Sequence, residues 1–327
     1  QLIAEASGQA PFEINVPDAK LWSAEMPHLY QARAELIAQG SVVDTAEETF
    51  GIRTVTVQPE KGLLVNGVPT FLRGGCIHND NGVIGVINND VTELRRAWNI
   101  KRAGFNAIRS AHHPMSRSLM KACDEVGLYV MDEAFDSWYR PKVMNPYVKR
   151  FMDSYLSDTR LMVQDAYNHP SVIMYSIGNE VAETAQTRGI ALTKQMTEHM
   201  HSLDSTRPVT CGVNIFFNFL SSMGFGVYSD DKAKKEAEAA AKRAAAGKAA
   251  PKKKAVGSEF FNNLAGFMGA DFMKWGASLP PCDWKTKDAF ANMDAAGYNY
   301  GIRRYKHDLK KYPHRLIVGS ETFCSDA

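Results

Sequence analysis

The run Ser171-Val172-Ile173-Met174-Tyr175-Ser176-Ile177-Gly178-Asn179-Glu180 constrains the fold of this chain more than any other stretch. From Val172 to Ile177 it is apolar or aromatic almost without a break. A strand with one wet face alternates, so an unbroken run reads as a strand covered on both faces, as in a parallel sheet. It closes on Gly-Asn-Glu, and an acid at the end of a buried strand is costly unless it has partners or a task. Arg315-Leu316-Ile317-Val318-Gly319-Ser320-Glu321-Thr322 repeats the form: a short apolar strand, small residues, then a glutamate.

Around these two runs, strands alternate with helices. Strands are expected near 71–77, 105–109, 128–132, 172–178, 208–212, 294–299 and 315–319, and helices over 92–103, 116–126, 147–167, 190–203 and 301–312. Repeated βα units of this number predict an α/β fold, a (β/α)₈ TIM barrel over residues 58–327 from which the eighth strand is absent. Residues 1–57 have period-two stretches instead: Phe12–Val16, Leu29–Leu36, Val42–Thr45 and Phe50–Val57. They are expected to be the carboxy-terminal part of an immunoglobulin-like β-sandwich. Asn66-Gly67 between two strand candidates predicts a hairpin. The chain opens on Gln-Leu-Ile without an initiating Met, as a fragment would.

Residues 215–290 interrupt the βα rhythm, and 230–254 form a low-complexity insertion of Lys, Glu and Ala. A charge run of this kind reads as a solvated helix or disordered insertion ahead of a polyanion-binding arm. Composition removes several classes of partner. The net charge is +2, and basic residues are otherwise scattered, which argues against nucleic acid. No apolar run reaches membrane length. Five cysteines match neither a zinc site nor a disulfide framework, and Cys76 and Cys211 read as plain buried thiols. A homo-oligomer stays open.

Chemistry-bearing residues gather at the predicted strand ends: His78 and Asp80 after the first strand; Arg109, His112 and His113 after the second; Asp132, Glu133 and Asp136 after the third; Asn179 and Glu180 after the fourth; Tyr298 and Tyr300 after the sixth; Glu321 after the seventh. A lone glutamate at a strand end is more often an ion-pair partner. Placement of all of them on the carboxy-terminal face of one barrel, where such folds do their chemistry, is what points to a site. Two carboxylates facing one pocket are the equipment of a glycosidase.

Phe105-Asn106-Ala107-Ile108-Arg109-Ser110-Ala111-His112-His113-Pro114, Gly127-Leu128-Tyr129-Val130-Met131-Asp132-Glu133-Ala134, Ser176-Ile177-Gly178-Asn179-Glu180 and Gly319-Ser320-Glu321 together resemble the barrel of glycoside hydrolase family 2. That family holds β-galactosidases, β-glucuronidases and β-mannosidases. Leu21-Trp22-Ser23 and Pro27-His28-Leu29-Tyr30 resemble the end of its preceding immunoglobulin-like domain.

The resemblance implies a retaining exo-β-glycosidase, β-galactosidase-like before β-glucuronidase- or β-mannosidase-like, acting on a carbohydrate substrate. It implies Glu180 as acid/base and Glu321 as nucleophile. Asn179 matches the residue that bonds the sugar 2-hydroxyl, and His78 and His112 match sugar-contacting histidines. Tyr300, with Tyr298 as the alternative, matches the tyrosine that touches the nucleophile. Arg109 matches a buried arginine paired with an active-site carboxylate, with Asp132 and Glu133 in support; His113, before Pro114, reads as structural.

Some bacterial β-galactosidases of that family bind magnesium through Glu-x-His after the third strand. Ser137-Trp138-Tyr139 stands here instead, so neither metal nor cofactor is expected. The Asn-x-Lys motif of β-glucuronidases lies beyond the seventh strand, and this chain ends first. Trp138 and the aromatic stretch 215–228 read equally as sugar platforms or as core. An enzyme cutting polysaccharides internally, and an inactive or sugar-binding fragment, are the competing readings. A bacterial glycan-degrading parent would favour a periplasmic or secreted location over a cytoplasmic one.

Overall fold

In the computed structural model, residues 2–9, 11–142, 146–226, 230–247 and 257–323 are described. The amino-terminal strands are antiparallel. β1 (Tyr30–Ala38) and β2 (Ser41–Phe50) form a hairpin whose side chains are almost all exposed. β3 (Val55–Gln58), β4 (Gly62–Val65) and β5 (Val68–Pro69) make a small three-stranded sheet. Its Asn66-Gly67 turn has φ of 54° and 77°, the left-handed pair that this dipeptide predicts. Leu63 and Val65 pack with Trp22, Ala107, Tyr129, Ile173 and Ala295, closing the amino-terminal end of the main sheet.

Two expected strands differ. Phe12–Val16 has no regular structure, because its alternating pattern meets no partner strand among the described residues; Phe12 and Ile14 are exposed. The expected Phe50–Val57 strand breaks between β2 and β3. There the Arg53 guanidinium leaves the ribbon and donates to the carbonyls of Pro170 and Val172, at 2.8 and 2.6 Å.

The main sheet alternates with helices in chain order: β6 (Gly74–Ile77), α1 (Asp90–Arg102), β7 (Ala107–Ser110), α2 (Arg117–Val126), β8 (Tyr129–Glu133), α3 (Phe151–Ala166), β9 (Val172–Asn179), α4 (Thr187–Leu203) and β10 (Val209–Asn214). Five helices follow: α5 (Ile215–Ser222), α6 (Asp230–Ala245), α7 (Gly257–Met268), α8 (Ala270–Ala277) and α9 (Pro280–Phe290). β11 (Ala295–Asn299), α10 (Tyr305–Lys311) and β12 (Leu316–Glu321) complete it. The seven strands are parallel and lie in chain order from β6 to β12, so every connection steps to the next strand and the sheet curls into a barrel wall.

The long helix expected over 147–167 is a 3₁₀ turn at Pro146–Lys149 followed by α3, and the one over 301–312 is a turn at Ile302–Arg304 followed by α10. The described residues of the interruption at 215–290 are mostly helical. Its charged part forms α6, exposed at Lys235, Glu238, Lys242 and Arg243; residues 248–254 lie outside the described residues.

All eight residues of β9 are buried, as the apolar run predicts. Trp138 is also fully buried, its indole N–H on the Ile177 carbonyl at 2.9 Å, and Phe216 and Phe217 pack on Phe272 and Phe261. These aromatics are core. Cys123, Cys211 and Cys282 are free and buried; Cys76 is free but only half-buried, because β6 is an edge strand. Cys324 lies outside the described residues. Among the described residues no helix is long and apolar enough to cross a membrane.

β6 and β12 are the two edges of the sheet. They approach without pairing: Cys76 Sγ lies 3.7 Å from the Ser320 carbonyl oxygen. Two bulges shape the carboxy-terminal rim. Thr210 and Gly212 of β10 pair with Ser176 and Asn179 of β9, so β9 carries one extra residue. Gly297 and Asn299 of β11 pair with Val318 and Glu321 of β12, which carries another. An extra residue inverts the in–out alternation beyond it. Each bulge falls just before one of the two glutamates.

Candidate active site

Arg109 is the hub. It rises from β7, is 4% exposed, and its guanidinium crosses the inside of the sheet. Nε and Nη2 donate to Glu133 Oε2 at 3.0 and 2.6 Å. Nη2 also reaches Asn179 Oδ1 at 3.0 Å, and Nη1 donates to Glu321 Oε1 at 2.8 Å and to the Ser320 carbonyl at 3.2 Å. The fork thus uses its planar donors on three strands at once. Gly212 of β10 lies beneath it: a Cβ there would sit 2.5 Å from Nη2. Burial opposes the charge on Arg109, but Glu133 and Glu321 overcome that and hold the guanidinium protonated above its ordinary range.

Glu133 is fully buried at the end of β8. Burial alone would raise its pKa, yet Arg109 and the bonds from His112 and Ser176 outweigh it and hold the carboxyl below its usual value. His112 Nδ1 meets Glu133 Oε1 at 2.7 Å, which turns Nε2 toward Glu321 Oε1 at 3.7 Å. The Ala111–His112 peptide is cis. Asp132, the neighbouring strand-end acid, points the other way. It accepts from Ser110 Oγ and the Met115 amide, so it braces the turn after β7 rather than lining the site. Burial pushes its pKa up to about 6, against those bonds. His78 is exposed at the end of β6, its ring edge-on to His112 at 5.4 Å. The His113 ring bonds, among the described residues, to the Pro114 carbonyl at 2.9 Å.

Glu321 closes β12. Besides Arg109, Tyr300 Oη donates to its Oε2 at 2.7 Å. Tyr300 follows β11 in the left-handed region, φ 58°, with its amide on the Glu321 carbonyl at 2.8 Å. Burial and the Glu321 charge raise the phenol's pKa, so it stays a neutral donor. Tyr298 is fully buried on the other face, bonded to Asp308. The tyrosine that reaches Glu321 is therefore Tyr300. At Gly319, within the bulge, a Cβ would sit 2.5 Å from Tyr305 Oη.

Glu180 follows β9, also left-handed, φ 45°, its amide on the Gly212 carbonyl at 2.7 Å. Its carboxyl accepts from two neutral amides, Asn214 Nδ2 at 2.8 Å and Asn299 Nδ2 at 3.4 Å. Desolvation, then the negative charge of Glu321, raise its pKa above the ordinary glutamate value. Asn179 faces inward beside it. Its Oδ1 takes bonds from Arg109 and Asn299, and its Nδ2 donates to Asp136 Oδ1 at 3.1 Å, leaving one amide hydrogen without a partner among the described residues.

The predicted residues Arg109, His112, Glu133, Asn179, Glu180, Tyr300 and Glu321 therefore form one connected cluster with His78 at its rim. Asn214, Asn299, Ser176 and Lys142 belong to it too and are not singled out by the sequence. Asn214 stands two residues past the strand expected at 208–212 and ends the observed β10, a usable signal. Asn299 hides between two tyrosines, and only strict alternation along β11 reveals that it faces inward while Tyr298 faces out.

Residues 55–272 match the family described as glycosyl hydrolases family 2, TIM barrel domain, and residues 1–53 match glycosyl hydrolases family 2. The chain belongs to glycosyl hydrolase family 2. A β-galactosidase of Bacteroides ovatus is 32% identical over 244 residues, covering 64% of this chain and 29% of that protein. A solved family 2 member from Bacteroides cellulosilyticus superposes with a TM-score of 0.72 at 32% identity, covering 95% of this chain and 32% of that one. A β-glucuronidase from Ruminococcus gnavus, solved with a C6-substituted uronic isofagomine, gives 0.58 at 28% identity over 65% of this chain and 36% of that one. The chain thus spans about a third of the length of these family 2 proteins. The fold read from the sequence, a TIM-type barrel wall behind part of an immunoglobulin-like domain, is the family 2 arrangement.

Proposed function

We propose that this chain carries the reacting groups of a retaining exo-β-glycosidase whose substrate is a terminal β-galactoside. The observation that carries the reading is the contrast between two carboxylates in one pocket. Glu321 is held by a guanidinium and a phenol, and Glu180 only by amides. A nucleophile must be ionised, and an acid must keep its proton near neutral pH.

In the first step Glu321 attacks the anomeric carbon while Glu180 gives its proton to the leaving oxygen, and the glycosyl–oxygen bond breaks. In the second, Glu180, now a base, takes a proton from water, and that water's oxygen displaces Glu321 from the ester. The remaining Asn179 amide hydrogen is available to the sugar 2-hydroxyl. His112 Nε2, with Nδ1 occupied by Glu133, and His78 line the side where the sugar hydroxyls would sit. Support for galactose is the Bacteroides ovatus relative; the Ruminococcus gnavus enzyme makes a β-glucuronide the second class to try.

The test uses the full-length protein and nitrophenyl β-galactoside, β-glucuronide and β-mannoside, followed by an activated 2-deoxy-2-fluoro analogue of the best substrate. The expected result is fastest turnover of the galactoside and an adduct, seen by peptide mass spectrometry, on Glu321. An adduct on a different carboxylate would overturn the assignment.

A further inference from the structure

The loop after β8 brings a charged pair to the acid that the reading above does not use. Lys142 Nζ donates to Asp136 Oδ1 at 2.8 Å and to the Asn179 carbonyl oxygen at 2.5 Å. That carbonyl belongs to the peptide leading into Glu180. Lys142 is 11% exposed along its side chain and Asp136 46%. The lysine's charge is therefore poorly screened, and the aspartate that balances it sits toward solvent. Asp136 also takes the Asn179 amide, so the pair grips both the backbone and the side chain of the residue before the acid. The left-handed turn at Glu180 is fixed by three bonds: Lys142 on the Asn179 carbonyl, the Asn179 amide on the Phe135 carbonyl at 2.9 Å, and the Glu180 amide on Gly212. A non-glycine residue in that conformation persists only where its surroundings over-determine it.

We propose that the Asp136–Lys142 pair is a positioning device for Glu180, fixing the turn that carries it and setting the pH at which it gives up its proton. The inference rests on the reading of Glu180 as acid/base. Each wall contributes to that setting. β12 presents Glu321, which favours the protonated acid; the loop after β8 presents Lys142, which favours the ionised form. β10 and β11 present the neutral amides of Asn214 and Asn299, and Tyr300 stands next to the latter. Arg109 and His112 from β7 and its loop are engaged by Glu133 and Glu321, and the buried Glu183 follows in the next turn. Among these cations Lys142 is the one paired with Asp136, in its own loop, rather than with Glu133 or Glu321.

The two ends of the pair have opposite signs, so their removal has opposite consequences. Without the lysine charge the acid holds its proton to higher pH; without the aspartate the lysine acts uncompensated and the acid loses its proton at lower pH. The experiment is the pH profile of kcat/KM for the full-length enzyme on an alkyl β-glycoside, whose leaving group needs acid help. Lys142→Met should move the basic limb up, and Asp136→Asn should move it down, each by about one pH unit, the scale of one neighbouring charge. Lys142→Arg should restore the limb to within a few tenths of wild type. Folding is followed by circular dichroism and urea midpoint. If Lys142→Met does not fold, the Asp136→Asn and Lys142→Arg pair still decides. Limbs that stay put, or that move the same way in both charge variants, overturn the inference. A basic limb that survives in Glu180→Gln overturns the acid assignment and this inference with it. A limb lost in Glu180→Gln but indifferent to both charge variants overturns this inference alone.

Discussion

Glu180 and Glu321 end two strands of one sheet through the same device, an apolar run followed by Gly-x-Glu with a bulge at the glycine. Their company differs. Glu321 meets Arg109 and Tyr300, and Glu180 meets Asn214 and Asn299. In the proposed reading one carboxyl chemistry takes two roles according to what the neighbouring strands supply. Cationic β7 faces β12 across the barrel mouth, while β10 and β11 bring only amides to β9. The assignment is also mutual, because ionised Glu321 is itself part of what raises Glu180. A like charge nearby disfavours the ionised form of a carboxyl group in this way.

Four experiments probe this contrast. The largest effect is expected from Glu321→Gln, which should lower kcat on every glycoside by on the order of 10⁴-fold, as when one member of a catalytic unit is removed. Residual turnover within tenfold of wild type would remove Glu321 from the chemistry. Glu180→Gln should act selectively. On an alkyl glycoside the loss should be about 10²–10⁴-fold, the usual worth of general acid catalysis, while the first step on a dinitrophenyl glycoside is spared. Equal losses on both would erase the difference between the two glutamates.

Tyr300→Phe removes one of the two side-chain donors that reach Glu321 within hydrogen-bond distance. A hydrogen bond to a charged group is worth about 1.5–3 kcal/mol, so kcat/KM should fall about 10- to 100-fold; a loss under twofold would take Tyr300 out of the contrast. The smallest effect is a titration. In Glu321→Gln the Glu180 carboxyl loses a like-charged neighbour, and its pKa, followed by carboxyl infrared difference spectra, should drop by about one unit. An unchanged value would mean that desolvation alone sets it.

The buried half of this molecule was legible because burial writes itself into composition. β9 is apolar along its length since both its faces are covered. β12 carries the same apolar run and terminal Gly-x-Glu, yet as an edge strand it is only half-buried. Period-two patterns were weaker guides. Phe12–Val16 alternates like a strand yet pairs with none among the described residues, and Arg53 pulls the chain off the ribbon through carbonyls more than a hundred residues away. In the site, charged and strand-end residues were readable. Ser176 was not, because a hydroxyl inside a strand carries no local mark of the face it points to, and Asn299, although it ends a strand, was masked by the tyrosines on either side. The bulges were equally hidden. Strict alternation would put Ser176 and Asn179 on opposite faces, and only the pairing with β10 shows that they share one. Asp132 shows the converse, an acid correctly placed at a strand end that serves the turn at Met115 instead of the pocket.

The Arg109 guanidinium has a mechanical side. It starts on β7, beside edge strand β6, and grips the backbone and side chain of the opposite edge, at Ser320 and Glu321. It works as a rivet between β7 and β12. Moving β12 away from β7 and stripping Glu321 of its counter-charge are consequently one event. Any strain that shifts one strand against the other therefore acts on the electrostatics of the carboxyl group as well as on the packing of the wall.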